Sequence, residues 1–445
     1  MSDHISELPD DILTNILSSL TLRDSVKARL LSPRWRHISA PISTLQFDLF
    51  TMFGIEYDEN KGYFDTLPAN FVNELKPRFL TAVDQFLQQY RAPKIGTLKI
   101  HFCLGNEYAS HIDNWVAFAA RMEAKKIDFY FSSFHQQNEN YSFPCHLLNS
   151  HLKHLRLGAC TFRPSPEHRN LLSSLATIDL SNVNLDTNND VESILLGCLN
   201  LECLVLRNCR LPMRLCIHGH QLFKLKTLIV HQNVPLFPWH IELNSIDLET
   251  FEFRGFLGTF TFVAVPCLEK VNMFFFPECV DVLHSVFNEL PSNLPQLQNL
   301  SLTLGSQNAL PIPEIMPTFT SLKQLELSVM VTTSFDLLPI IFILNASPIL
   351  EKFYLKLRRM SSSGQIQTRD CSNRLHLHLK DIRISGFYEQ SNVMEVAIYL
   401  LKNAVALERM VVDVKDDLKT REKVYDLLMK EKVNSRVELI VNYEN

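Results

Sequence analysis

Along most of the chain, apolar residues recur in one pattern, L-x-x-L-x-L. Clear copies are Leu152-Leu155-Leu157, Leu175-Ile178-Leu180, Leu201-Leu204-Leu206, Leu225-Leu228-Val230, Leu248-Phe251-Phe253 and Leu268-Val271-Met273. The series continues with Leu297-Leu300-Leu302, Leu322-Leu325-Leu327, Leu350-Phe353-Leu355, Leu379-Ile382-Ile384 and Leu407-Met410-Val412. Weaker copies stand at Ile95-Leu98-Ile100 and around Ile127 and Phe129. The last two apolar positions of a copy are two residues apart, the period of a strand, so both side chains point to one face. One short strand cannot bury that face alone. Stacking successive strands in parallel hides a continuous apolar spine, so the pattern predicts a solenoid. A sandwich would repeat its strands every ~8–12 residues; these copies begin 20 to 29 residues apart and keep one motif.

The residue between the last two apolar positions points away from the spine. In order these residues are Arg156, Asp179, Val205, Ile229, Glu252, Asn272, Ser301, Glu326, Tyr354, Arg383 and Val411. A row with only a structural role would be uniformly small and polar, and this one mixes both charges, apolar residues and a tyrosine. Tyr and Arg are the types that most often anchor interfaces. Tyr354 and Arg383 fall on neighbouring copies beside Lys352 and Lys356. These four residues are the candidate binding patch, and the polar segment 361–373 is the competing location.

The links between copies are of two kinds. Helical spacing appears at 190–198, with Asp190 as cap and Val191, Ile194, Leu195 and Cys198 on one face, and again at 280–290 and 392–403. A last helix at 421–432 and an edge strand at 437–441 would cap the end. Links rich in Pro and Asn read as irregular. The apolar run 337–344 contains Pro339 and reads as a short buried segment.

The first forty residues follow helical periodicity instead. Leu8, Ile12, Leu13, Ile16, Leu17 and Leu20 form one apolar face; Pro9 suits a helix start, and Asp10 and Asp11 its positive end. Asp24 or Ser25 can cap a second helix carrying Val26, Leu30 and Leu31, and Ser32-Pro33 opens a third with Trp35 and Ile38. Three short helices cannot hide that many apolar side chains among themselves, so part of the stripe is expected to meet a partner. Packing on the rest of the chain is the structural alternative.

Composition narrows the class. The chain has 445 residues, 46% hydrophobic and 20% charged, and a net charge of −5, so no global field favours nucleic acid or an anionic membrane. Its 12 glycines argue against Gly-rich phosphate loops. The opening MSDHISELPDD is not read as a signal peptide. No apolar run reaches the ~18 residues of a transmembrane span. The ten cysteines form no CxxC pairs, and the expectation is an intracellular, soluble protein of cytoplasm or nucleus with reduced thiols as small core side chains.

The N-terminal residues Ile5, Leu8-Pro9-Asp10, Ile12-Leu13, Ile16-Leu17, Leu20, Asp24, Val26 and Arg34-Trp35-Arg36 resemble a plant F-box, with Pro33 where that family more often has a basic residue. The repeat lengths match leucine-rich repeats of mixed length. Near the end, His378-Leu379-Lys380, Ile384-Ser385-Gly386-Phe387, Glu395, Ala397, 399–404 and Leu407-Glu408-Arg409-Met410 look like the FBD module. The fold expected is α/β: a leucine-rich-repeat solenoid with a parallel sheet on its concave face, preceded by a small all-α three-helix F-box. The expected boundaries are 1–42 for the F-box, 43–375 for the repeats, clearest from about 95, and 376–445 for the FBD-like end. The resemblance implies docking of a Skp-type adaptor, and through it a cullin–RING ligase, by Leu8, Pro9, Ile12, Leu13, Ile16, Leu17, Leu20, Val26 and Trp35. It further implies that the repeats bind a target protein for ubiquitination. The alternatives are a hormone-type small-molecule co-receptor on the same architecture and a non-ligase repeat scaffold.

No catalytic set is legible. G-x-S-x-G, P-loop and H-E-x-x-H motifs are absent, and no cofactor is called for. Of the 16 histidines, His218-Gly219-His220 and His376-Leu377-His378 are the tightest groups. Neither has cysteine or carboxylate partners at finger-like spacing, so both read as surface or pairing histidines. His376 and His378 are expected to share one strand face. Lys352, Lys356, Arg358, Arg359 and Arg383 form a basic cluster: a solvated face, or a seat for an acidic or phosphorylated segment. Phe274-Phe275-Phe276 reads as core, with an exposed aromatic anchor as the sharper reading.

Overall fold

The computed structural model describes residues 7–20, 24, 43–56, 67–131, 141–185, 188–218, 224–233, 239–256, 258–276, 282–305, 312, 315–331, 337–359, 374–387, 391–415, 418–432 and 436–443. The chain divides into two compact units, residues 1–215 with 219–225, and residues 216–218 with 226–445.

The first unit opens on helix α1 (Asp10–Ser19). Six strands follow among the described residues: β1 (Thr44–Phe47), β2 (Thr97–His101), β3 (Lys126–Tyr130), β4 (His154–Gly158), β5 (Thr177–Ser181) and β6 (Cys203–Arg207). Each pairs in parallel with the next. The links carry α2 (Leu49–Phe53), α3 (Ala69–Gln89), α4 (Ala109–Arg121) and α5 (Asn188–Gly197). In the second unit the parallel order is β8 (Thr227–His231), β10 (Thr250–Gly255), β12 (Lys270–Phe275), β13 (Asn299–Gly305), β14 (Gln324–Val331), β15 (Lys352–Arg359), β16 (Asp381–Phe387), β17 (Arg409–Val414) and β18 (Glu438–Tyr443). Its helices are α6 (Val282–Asn293), α7 (Ile340–Asn345), α8 (Ser391–Asn403) and α9 (Leu418–Glu431).

The strands form where the repeat predicts them, and they align spine to spine. Leu155 pairs with Ile178 and Ile178 with Leu204; Leu157, Leu180 and Leu206 follow two residues on. In the second unit Leu300, Leu325, Phe353, Ile382 and Met410 are successive partners. All of these are buried, as are the leading leucines from Leu152 to Leu407. The bend before each strand settles its own backbone polarity. Two successive N–H groups donate to one carbonyl of the preceding repeat: Ala176 and Thr177 to Lys153 at 2.8 and 3.1 Å, and Glu351 and Lys352 to Lys323 at 2.9 Å. Equivalent pairs recur through both units and lock the register that the leucines select.

Several strands end in the same turn. Ala159, Asn182 and Asn208 each take a left-handed backbone one residue past a strand, and the next residue turns into the core: Cys160, Val183 and Cys209. Asn tolerates that conformation better than most residues. α7 begins directly after Pro339 and buries Ile340, Ile341, Ile343 and Leu344, as the short apolar run predicts.

The links differ from expectation in three places. α5 begins at Asn188, so Asp190 lies inside the helix and is not its cap. Three links expected to be irregular instead form a second small sheet, β11 (Gly258–Ala264), β9 (Trp239–Asn244), β7 (Arg214–His218) in spatial order, with β11 parallel to β9. Alternation in β7 and β9 drives this: Leu215, Ile217, Ile241 and Leu243 are buried, while Cys216, His240, Glu242 and Asn244 are not. Third, His376 and His378 do not share a strand face. His376 makes an isolated bridge to Ala404 ahead of β16, is buried, and has its Nε2 3.1 Å from the Tyr399 hydroxyl, whereas His378 is exposed.

Candidate functional site

Two surfaces are candidates: the N-terminal helix and the sheet face that bears the mixed row.

On α1, Asp10 and Asp11 occupy the first turn and Pro9 stands immediately before it. Leu13 and Leu17 are fully buried, with Leu8, Ile16 and Leu20 packed against them. Ile12 is 40% exposed, and Pro9 is also at the surface. The helix therefore has an inner pair, Leu13 and Leu17, and an outer apolar edge led by Ile12. Val26 and Trp35 lie outside the described residues.

The row residues stand in strict register. Lys99, Asp128, Arg156, Asp179 and Val205 are successive partners in the first unit. Glu252, Asn272, Ser301, Glu326, Tyr354, Arg383 and Val411 are successive partners in the second. At the C-terminal end the row borders a groove of about 1010 Å³. Tyr354, Lys356 and Arg383 line it together with Glu326, Asp381 and Asp413. Lys352 is exposed one alternation earlier on β15 and is not in the lining.

Internal bonds hold most of these side chains. The Tyr354 hydroxyl donates to Asp381 Oδ2 at 3.0 Å. Partial burial, and then that carboxylate, push the phenol above its ordinary value, so it stays a donor at neutral pH. Arg383 donates through Nε and Nη2 to Asp413 Oδ2, each at 2.9 Å, and Asn442 Nδ2 donates to Asp413 Oδ1 at 3.0 Å. Lys356 makes no side-chain hydrogen bond or ion pair among the described residues. The groove thus offers a fixed tyrosine hydroxyl, a guanidinium pinned along one edge, and a cation available to an acidic group. Arg358 is exposed on the same face of β15. The segment 360–373, which includes the competing location, lies outside the described residues.

Phe275 is core, while Phe274 lies under the Arg254 guanidinium at 4.6 Å, a cation–π contact rather than an unpartnered anchor.

One cluster escaped sequence reasoning. His218 has Cys216 two residues before it on β7, and β9 brings Glu242 and His240 beside them. The x-C-x-H and x-H-x-E alternations carry the signal, but only pairing of the two strands joins them.

A leading apolar helix followed by parallel in-register repeats defines a leucine-rich-repeat protein of α/β class. A model of the F-box domain matches residues 5–41, and a model described as the At1g61320/AtMIF1 LRR domain matches residues 87–438. The chain is 25% identical to an F-box/FBD/LRR-repeat protein of Arabidopsis thaliana, At3g26920, over 92% of this chain and 88% of that one. It is 25% identical to a second, At5g56420, over 98% of both chains, and 30% identical to the F-box/LRR-repeat protein At3g03360 over 47% of this chain and 39% of that one. The chain belongs to the plant F-box proteins with leucine-rich repeats and carries FBD-like features at its C-terminal end. No helix among the described residues is long and apolar enough to cross a membrane.

Proposed function

We propose that this chain is the substrate-recognition subunit of a Skp–cullin–F-box ubiquitin ligase. Residues 1–42 dock a Skp-type adaptor, residues 43–375 present the repeats to a target protein, and residues 376–445 close the array. The observation that carries the reading is the joining in one chain of an F-box match at 5–41 to a repeat match at 87–438. The chain is non-catalytic: transfer chemistry belongs to other subunits, and this one supplies proximity and orientation. It works in the cytoplasm or nucleus.

The adaptor contact is led by Pro9 and Ile12 with Leu8, Ile16 and Leu20 at its margin, Leu13 and Leu17 hold the helix from within, and Val26 and Trp35 continue the contact. The exposure of Ile12 supports placing it at the centre, and covering such a side chain contributes about 1.5–3 kcal/mol. Target binding centres on Tyr354, Lys356 and Arg383, with Lys352 at the margin, and the target presents an acidic or hydroxyl-rich segment. A small-molecule co-receptor would present a largely apolar pocket with few polar groups. The groove beside Tyr354 is lined mainly by charged and polar side chains, which favours a protein segment.

The test is affinity purification of the tagged chain under proteasome inhibition, comparing wild type with Tyr354→Ala/Lys356→Glu. Arg383 is left intact because its loss would strip the buried Asp413 of a partner. Both proteins should recover a Skp-type adaptor and a cullin, and only wild type should enrich a target. If deleting 361–373 abolishes target capture while the double variant captures normally, the target site is not on the sheet. Absence of any Skp-type protein with wild type would end the reading.

A further inference from the structure

The second small sheet carries an arrangement that neither adaptor docking nor target binding uses. On β7, Leu215 and Ile217 are buried, so Cys216 and His218 project from the opposite face. On β9, Ile241 and Leu243 are buried, so His240 and Glu242 project likewise. Strand pairing gathers these side chains. The ligand atoms of Cys216, His218 and Glu242 all lie within 4.8 Å of one another. His218 Nε2 is 3.1 Å from Glu242 Oε1, and His240 Nε2 is 3.9 Å from Glu242 Oε2. His240 Nδ1 is 2.8 Å from the Thr259 hydroxyl on β11. If Nδ1–H donates to Thr259, Nε2 keeps its lone pair and faces the cluster, the arrangement in which an outer hydrogen bond orients a ligating imidazole.

We propose that Cys216, His218, His240 and Glu242 form a site for a tetrahedral, thiolate-accepting divalent metal ion, with zinc the best match. The donor set is one sulfur, two imidazoles and one carboxylate, the mixed types that Zn²⁺ takes four at a time. Bond lengths of about 2.0–2.3 Å place neighbouring ligand atoms roughly 3.5 Å apart, so the donor atoms of Cys216, His218 and Glu242, already within 4.8 Å of one another, close by side-chain rotation, and His240 joins from the Glu242 side, its Nε2 3.9 Å from Oε2. The two strands are held from beneath by their buried aliphatic residues, which fixes the backbone spacing of the donors. Binding releases the Cys216 thiol proton to solvent. The ion would tie two successive links of the solenoid together.

The experiment titrates the reduced full-length chain with Co²⁺, followed by Zn²⁺. One equivalent of Co²⁺ should produce a thiolate-to-metal charge-transfer band and four-coordinate visible bands, and Zn²⁺ should displace it. Cys216→Ser should remove the charge-transfer band. His218→Gln, Glu242→Gln and His240→Ala should each weaken Zn²⁺ binding by about 10-fold or more. In the unsubstituted protein, one equivalent of Zn²⁺ should slow alkylation of Cys216 without protecting exposed Cys267, a readout that needs no variant to fold. A surface ion pair only would give no stoichiometric band and no protection of Cys216. That result, or a band that survives Cys216→Ser, overturns the proposal.

Discussion

His101 and Asp128 form a fully buried pair, Nε2 to Oδ1 at 2.7 Å, on neighbouring strands of the first unit. Burial pushes the imidazole below 6.5, and the Asp128 hydrogen bond and charge only partly offset it. Burial opposes the Asp128 carboxylate too, yet its pKa lies below the ordinary value because hydrogen bonding and nearby cations outweigh desolvation. The imidazole is therefore neutral at pH 7, with Nε2–H donating to Asp128 and Arg156 and Lys99 supplying the positive field. The sign follows. Above pH 6.5 neither folded nor unfolded His101 binds a proton; below it the unfolded chain gains one that the folded chain refuses. Stability is therefore present above pH 6.5 and lost as pH falls toward the folded value, by up to about 1.4 kcal/mol per pH unit. Buried His376 is lowered by burial and adds in the same direction. Urea unfolding from pH 7.5 to 5.5 should show this slope, and His101→Gln should flatten it. The thiols give a second test. Burial raises Cys198 and Cys209 to about 12 and pushes Cys160 up further, while Cys267 is exposed. Native alkylation at pH 8 followed by mass spectrometry should label Cys267 first and leave these three unmodified until the protein unfolds.

At the scale of elements, the spine is the stabilising feature. Leu204 and Leu325 are at most 1% exposed, and truncating either to Ala should cost about 2–5 kcal/mol. Gly386 tests a different property of the strand. It sits at φ +73 where β16 slips register against β17, and an added Cβ would lie 2.1 Å from the Leu357 carbonyl oxygen. Gly386→Ala should cost at least about 2 kcal/mol, read as a fall in the denaturant midpoint. The FBD-like stretch around Ile384-Ser385-Gly386-Phe387 thus has a physical reason for its glycine. The spine and its register were legible because strand period and repeat length are written in single residues. α3 is also written in the sequence: Val72, Leu75, Phe79, Val83 and Leu87 recur at helical spacing, although Pro77, a residue that normally ends a helix, interrupts the run. Asp84 then joins α3 to α4 by accepting from the Trp115 indole and pairing with His111, each at 2.7 Å. The Cys216–His240 cluster was not legible. Its halves lie 24 residues apart, and nothing but the pairing of two links brings them together. Likewise the row gave Tyr354 and Arg383, but not that Asp381 and Asp413 already engage them.

At the scale of the whole molecule, the proposed function divides labour between the ends of the chain: an apolar helix edge for a constant partner and a mixed sheet face for a variable one. These two functions should separate by mutation. Tyr354→Ala/Lys356→Glu alters only target capture. The adaptor side is tested by a variant that spares the buried pair Leu13 and Leu17, because charges there would unfold the helix and report nothing about docking. Ile12→Glu charges the exposed edge instead and leaves Ile16, which packs on that pair, in place. The decisive measurement is quantitative co-purification of a Skp-type adaptor with full-length wild type and with this variant, each checked for an unchanged circular dichroism spectrum. The account predicts stoichiometric adaptor with wild type and at least about a tenfold loss with the variant, the equivalent of one buried apolar contact of about 1.4 kcal/mol or more. Recovery of the adaptor at the wild-type level by the folded variant would contradict it.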